Sequence, residues 1–180
     1  MQTMRPTRCC GAVIRSLNRM TRQESFAPLP LKKICVLLAE DHARFRKSLK
    51  VLVELDGGIK VMGEAKNGIK AVELNEKLHP DVVVMDIAMP LLNGLQATRQ
   101  IMEASPVTKV LILSSHADPE YIRQAMIFGA SGYLIKQASA PVLADAIREV
   151  MKGKTYFSAS IPKRLRDECQ KVFAKGQLLK

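Results

Sequence analysis

From Lys32 onward, short apolar runs alternate with stripes of apolar residues at helical spacing, and three of the five runs stop directly at a polar or charged residue. This alternation constrains the chain most. Ile34-Cys35-Val36-Leu37-Leu38, Val82-Val83-Val84-Met85 and Val110-Leu111-Ile112-Leu113 are continuous apolar runs, as expected of strands buried on both faces. Ile59 to Met62 and Gly132 to Ile135 complete a set of five strands. Between them, Phe45/Leu49/Leu52, Ala71/Leu74/Leu78, residues 94–103 and Ile122/Ala125/Met126 predict helices. Leu143, Ala146, Ile147 and Val150 predict a fifth. Asp118-Pro119 reads as an N-cap followed by proline at the first helical position, with Gly129 as the stop. Five strand–helix units predict an α/β fold, a parallel sheet covered by helices on both faces.

Such sheets bind ligands beyond the carboxyl ends of their strands. Those ends carry Glu40 and Asp41, then Asp86, then Ser114 and Ser115, then Lys136. Three carboxylates converging in a crevice would repel one another, and a hard divalent cation such as Mg²⁺ removes the conflict with oxygen ligands. A hydroxyl and an ammonium at the same edge suit phosphoryl oxygens. Each residue alone is an ordinary cap or a solvated charge; the signal lies in their recurrence at consecutive strand ends. His42 and His116 are read as loop or helix-start residues, not as metal ligands.

Leu38-Ala39-Glu40-Asp41-His42, Asp86-Ile87-Ala88-Met89-Pro90 with Asn93-Gly94, Ser114-Ser115-His116, and Gly129-Ala130-Ser131-Gly132-Tyr133-Leu134-Ile135-Lys136 carry a specific likeness. The segment from 33 to about 151 resembles response-regulator receiver domains, and it is most similar to the NarL/FixJ subfamily. The resemblance implies a CheY-like, flavodoxin-like (βα)5 doubly wound sheet of strand order 2-1-3-4-5. It implies that Asp86 accepts a phosphoryl group from the phosphohistidine of a sensor histidine kinase. It also implies that Glu40, Asp41, Asp86 and the Ala88 backbone carbonyl hold Mg²⁺, that Lys136 pairs with a phosphoryl oxygen, and that Ser114 and Tyr133 form the switch. Two positions depart from the common pattern: Gln137 stands where proline often follows the lysine, and Leu91 where a polar residue is common.

The net charge of +11 is uneven: +6 over residues 1–33, −1 over 34–150 and +6 over 151–180. Attraction to nucleic acid is therefore an argument about the ends alone. Residues 1–31 are expected to form a disordered basic leader, with a faint likeness to a transit peptide and with Met20 as a candidate start. Residues 32–151 are expected to form the receiver, and 152–180 a linker plus an amphipathic basic helix bearing Ile161, Leu165, Cys169 and Val172. The helix-turn-helix domain usual in the subfamily is expected to be absent, because the chain stops at Lys180, where it would begin. No sequence-specific DNA binding is expected within the chain. Output is expected through a phosphorylation-dependent homodimer or a downstream protein, on the face of residues 118–150.

No apolar run approaches the roughly 20 residues that span a bilayer. The four cysteines match no zinc pattern or disulfide framework. With no secretory signal evident, the reducing cytoplasm is the simplest compartment. Two other classes are disfavoured: a haloacid-dehalogenase-type phosphatase wants a second aspartate where Ala88 stands, and no Gly-x-Gly-x-x-Gly follows the first strand to bind a dinucleotide.

Overall fold

The computed structural model describes residues 32–178. The leader expected over residues 1–31 lies outside them. The described residues form one compact unit. The strands are β1 (Ile34–Ala39), β2 (Ile59–Ala65), β3 (Val82–Asp86), β4 (Lys109–Ser114), β5 (Gly132–Ile135) and β6 (Tyr156–Phe157). The helices are α1 (Ala43–Glu54), α2 (Gly68–Leu78), α3 (Gly94–Ala104), α4 (Pro119–Ile127), α5 (Leu143–Met151) and α6 (Lys163–Leu178). All strand pairs are parallel, in the order β2-β1-β3-β4-β5-β6. The expected order 2-1-3-4-5 is thus present, extended at one edge by β6.

Alternate strand residues feed two cores, because successive side chains leave a strand on opposite faces. Val36, Leu38, Val82, Val84, Leu111, Leu113 and Leu134 pack with Leu49 and Val53 of α1 and with the apolar stripe of α5. Leu37, Val83, Met85, Val110, Ile112 and Tyr133 pack on the other face with residues of α2, α3, α4 and α6. The central strands are buried on both faces, which is why they read as unbroken apolar runs.

Side-chain caps fix where three helices begin. Asn67 accepts from Lys70 N, Asn93 from Gln96 N and Asp118 from Glu120 N. Gly129, at φ +94°, follows α4 and turns the chain into β5.

The stretch expected to be a linker plus a helix, residues 152–180, contains β6 ahead of the helix. Farther on, Ile161 sits just before α6, with Leu165 and Cys169 buried on it. Val172 is 38% exposed, and its neighbour Phe173 packs on the core instead. Among the described residues no helix is long and apolar enough to cross a membrane.

Candidate functional site

The parallel sheet brings the carboxyl ends of β1, β3, β4 and β5 to one edge, and the side chains singled out from the sequence gather there. Asp86 ends β3 and is 2% exposed; Glu40, just beyond β1, is 1% exposed. Lys136 follows β5, and its Nζ lies 2.8 Å from Glu40 Oε2 and 2.9 Å from Asp86 Oδ2. Burial disfavours the Lys136 charge. Hydrogen bonds and attraction from Glu40 and Asp86 outweigh that and hold its pKa above the ordinary lysine value.

Gly94 sets the position of Asp86. A Cβ on Gly94 would lie 1.9 Å from the Asp86 carbonyl oxygen. Only glycine lets the start of α3 come this close to the end of β3. Gly94 N donates to the Ile87 carbonyl at 2.9 Å, closing the loop between them. Inside that loop Ala88 N lies 3.3 Å from Asp86 Oδ1, and the exposed Leu91 takes a left-handed backbone at φ 69°.

Ser114, at the end of β4, is buried, and its Oγ accepts from His116 N at 3.1 Å. Tyr133 is fully buried and donates its hydroxyl to the His116 carbonyl at 2.9 Å. Burial pushes the Tyr133 phenol pKa up. The two expected switch residues therefore meet at the main chain of His116, its N–H on one and its carbonyl on the other.

Several neighbours surround these residues. His42 sits at the N-cap of α1 without capping it. Its Nδ1 lies 2.8 Å from Asp41 Oδ1 and 3.2 Å from Glu40 Oε1. Attraction to Asp41 is the main cause of its raised pKa, with Glu40 adding to it. Arg46 donates to the Glu40 carbonyl and pairs with Glu64 at 3.1 Å. The Phe45 ring centroid lies 5.2 Å from Lys136 Nζ, an additional favourable setting for the cation. Phe45, Arg46 and Glu64 come from α1 and β2, and no motif in the sequence ties them to the site.

The carboxylate set suits a hard divalent cation. Ligand atoms of Glu40, Asp41 and His42 lie within 4.8 Å of one another. Glu40 Oε2, Asp41 Oδ1 and Asp86 Oδ2 are buried without a well-aligned hydrogen bond. Lys136 Nζ lies against Glu40 Oε2 and Asp86 Oδ2, and His42 Nδ1 lies 2.8 Å from Asp41 Oδ1. Buried carboxylate oxygens without aligned hydrogen-bond donors are a donor set that oxygen-seeking Mg²⁺ matches, whereas an imidazole suits softer metals.

A doubly wound parallel sheet with an acidic pocket, a hydroxyl and a lysine at its strand ends defines a receiver-type signalling domain. The response regulator receiver domain profile matches residues 36–148. The chain belongs to that family, whose members are the receiver domains of two-component response regulators and are not classical enzymes.

Among curated relatives, the transcriptional regulatory protein DegU of Brevibacillus brevis is 37% identical over 140 residues, covering 78% of this chain and 59% of DegU. The uncharacterized transcriptional regulatory protein YvfU of Bacillus subtilis (strain 168) is 40% identical over 136 residues, covering 75% of this chain and 68% of YvfU. The chain thus spans about three fifths of the length of DegU.

Among solved structures, a two-component response regulator of the LuxR family from Aurantimonas sp. SI85-9A1 superposes with a TM-score of 0.69 at 27% identity, covering 82% of this chain and 99% of that one. The signal receiver domain of the putative response regulator NarL from Mycobacterium tuberculosis gives 0.66 at 32% identity, covering 68% and 99%.

Proposed function

We propose that residues 32–151 act as a phosphorylation switch in which Asp86 accepts a phosphoryl group from the phosphohistidine of a sensor histidine kinase. The observation that carries this reading is Lys136 Nζ, held 2.8 Å from Glu40 and 2.9 Å from Asp86 at the carboxyl ends of three strands. An Asp86 carboxylate oxygen forms the new P–O bond as the P–N bond of the donor breaks, and the imidazole departs with the electron pair. Such transfers need positioning and charge neutralisation more than covalent help from the protein.

Lys136 supplies a fixed ammonium for a phosphoryl oxygen, and Gly94 holds the Asp86 main chain against α3. Glu40, Asp41, Asp86 and the Ala88 carbonyl would hold Mg²⁺, which when bound neutralises charge on the transferring oxygens. The modification adds about 1.5 to 2 negative charges to the edge. Ser114 then turns its hydroxyl toward the phosphoryl group, and Tyr133 follows through their shared contact with His116. The remodelled face, residues 118–150, meets a second copy of the chain or a downstream protein. The free thiols Cys35 and Cys169 fit the proposed cytoplasmic setting.

The test is intact-mass spectrometry after incubation with acetyl phosphate, with and without MgCl2. Wild type is expected to gain one phosphoryl group only with the metal, and Asp86→Asn none. Equal uptake by both proteins would overturn the assignment.

A further inference from the structure

The chain beyond α5 returns to the very residues that form the switch. β6 runs beside β5, with Tyr156 opposite Gly132 and Phe157 opposite Tyr133. The approach is close: a Cβ on Gly132 would lie 2.5 Å from the Tyr156 carbonyl oxygen. Ser158 then clasps β5 twice. Its N–H donates to the Tyr133 carbonyl at 3.0 Å, and its Oγ accepts from Ile135 N at 2.8 Å. One of those two residues carries the switch ring, and the other precedes Lys136.

The helix that follows lies on α4. Ile161, Leu165 and Cys169, at 1%, 6% and 1% exposure, share one core with Ile122, Ala125 and Met126 of α4. Arg123 Nε on α4 pairs with Glu168 Oε1 on α6 at 2.9 Å. The start of α4 is tied in turn to the loop after β4, where His116 N donates to Ser114 Oγ and the His116 carbonyl accepts from Tyr133. β6, Ser158 and α6 therefore touch both elements that a movement of Ser114 and Tyr133 would displace.

We propose that residues 156–174 form a strap that reports the state of Asp86, docked on β5 and α4 while Asp86 is unmodified and loosened when it is phosphorylated. This rests on the reading of Asp86 as phosphoacceptor. As Ser114 Oγ is drawn toward the added charge it leaves His116 N. The loop that sets the start of α4 then shifts, and the apolar seam with α6 loses its fit. Close-packed seams respond to shifts of a fraction of an ångström because few alternative packings exist. Loosening uncovers Ile122, Ala125 and Met126.

Cys169 lies in the seam and provides the measurement, since a buried thiol is alkylated only when its surroundings open. The full chain is treated with N-ethylmaleimide, with and without acetyl phosphate and MgCl2. Modification of each cysteine is followed by peptide mass spectrometry, with Cys35 as the internal reference. Phosphorylation is expected to speed alkylation of Cys169 roughly tenfold while leaving Cys35 unchanged. Leu165→Ala, which thins the seam without touching the phosphorylation site, is expected to speed Cys169 alkylation without any phosphodonor. Phosphate on Asp86 with an unchanged or slower Cys169 rate would overturn the strap and leave the phosphoacceptor standing. An unchanged rate in Leu165→Ala would likewise overturn it, because the seam would then not be what shields the thiol. Failure of Asp86 to take up phosphate would overturn the functional reading and the strap together.

Discussion

Lys136 keeps two buried carboxylates from facing each other uncompensated. Removing one member of a buried ion pair strands the other, which costs more than the pair itself contributes. Lys136→Met is therefore expected to lower unfolding free energy by about 3 kcal/mol in metal-free buffer. Chemical denaturation checks this, and millimolar MgCl2 is expected to restore part of the loss. No change in stability would mean that Glu40 and Asp86 are compensated elsewhere. Tyr133 gives a pH signature. Its phenol pKa is raised in the fold, so its contribution is fully present below the unfolded value of about 10 and is lost as pH rises through the folded value. Tyr133→Phe removes the hydrogen bond to the His116 carbonyl and is expected to cost about 1 kcal/mol at neutral pH. The gap between wild type and variant should shrink above about pH 10; a gap independent of pH would show that the phenol does not titrate differently on folding. Tyr133, inside β5, was singled out only by the family resemblance, whereas Glu40, Asp41, Asp86, Ser114 and Lys136 were legible in the sequence, because each sits at or beside a strand end and a parallel sheet aligns those ends. Phe45, Arg46 and Glu64 were not, since their relation to the site depends on how α1 and β2 pack. His42 was set aside as a helix-start residue. It does occupy that position, but its imidazole also reaches both carboxylates.

At the scale of elements, the junction of β3 with α3 has the least room. The Gly94 site admits no Cβ, because the obstruction is the Asp86 backbone and not a side chain that could swing aside. Gly94→Ala is expected to destabilise the fold by about 3 kcal/mol and to slow phosphate uptake, since any relief moves either Asp86 or the start of α3. Denaturation and the intact-mass assay read the two effects; wild-type values in both would show that the loop yields freely. The five main strands and five helices were legible because their apolar periods are long enough to establish a type. β6 was not, because two residues hold no period and Tyr156-Phe157 acts only through its pairing with β5. The last helix was expected from Ile161, Leu165, Cys169 and Val172, yet Ile161 lies in the turn before it and Phe173 takes the place of Val172 against the core. Spacing alone sets a stripe's direction only to within a neighbouring residue.

For the molecule as a whole, the segment of residues 34–150 is close to neutral, so the acidity of the site is a local matter that net charge conceals. Gathering Glu40, Asp41 and Asp86 at one edge would make cation binding a property of the folded state, since unfolding disperses them along the chain. A ligand that binds only the folded form stabilises it by RT ln(1 + [L]/Kd). Magnesium at ten times its dissociation constant should therefore add about 1.4 kcal/mol, or roughly 3–5 °C in Tm for a domain of this size. Exposed ion pairs, such as Arg99 with Glu103, respond only to ionic strength, which screens them. The expected result in thermal denaturation is a rise in Tm with MgCl2 that saturates and that NaCl at matched ionic strength does not reproduce. Asp41→Asn removes a carboxylate of the site without touching the Lys136 bridge, and it should flatten the magnesium response while leaving the response to NaCl unaltered. An undiminished magnesium shift in that variant would place the cation away from the strand ends. An equal shift with NaCl would reduce it to screening, and the acidic pocket would then need no resident ion to be stable.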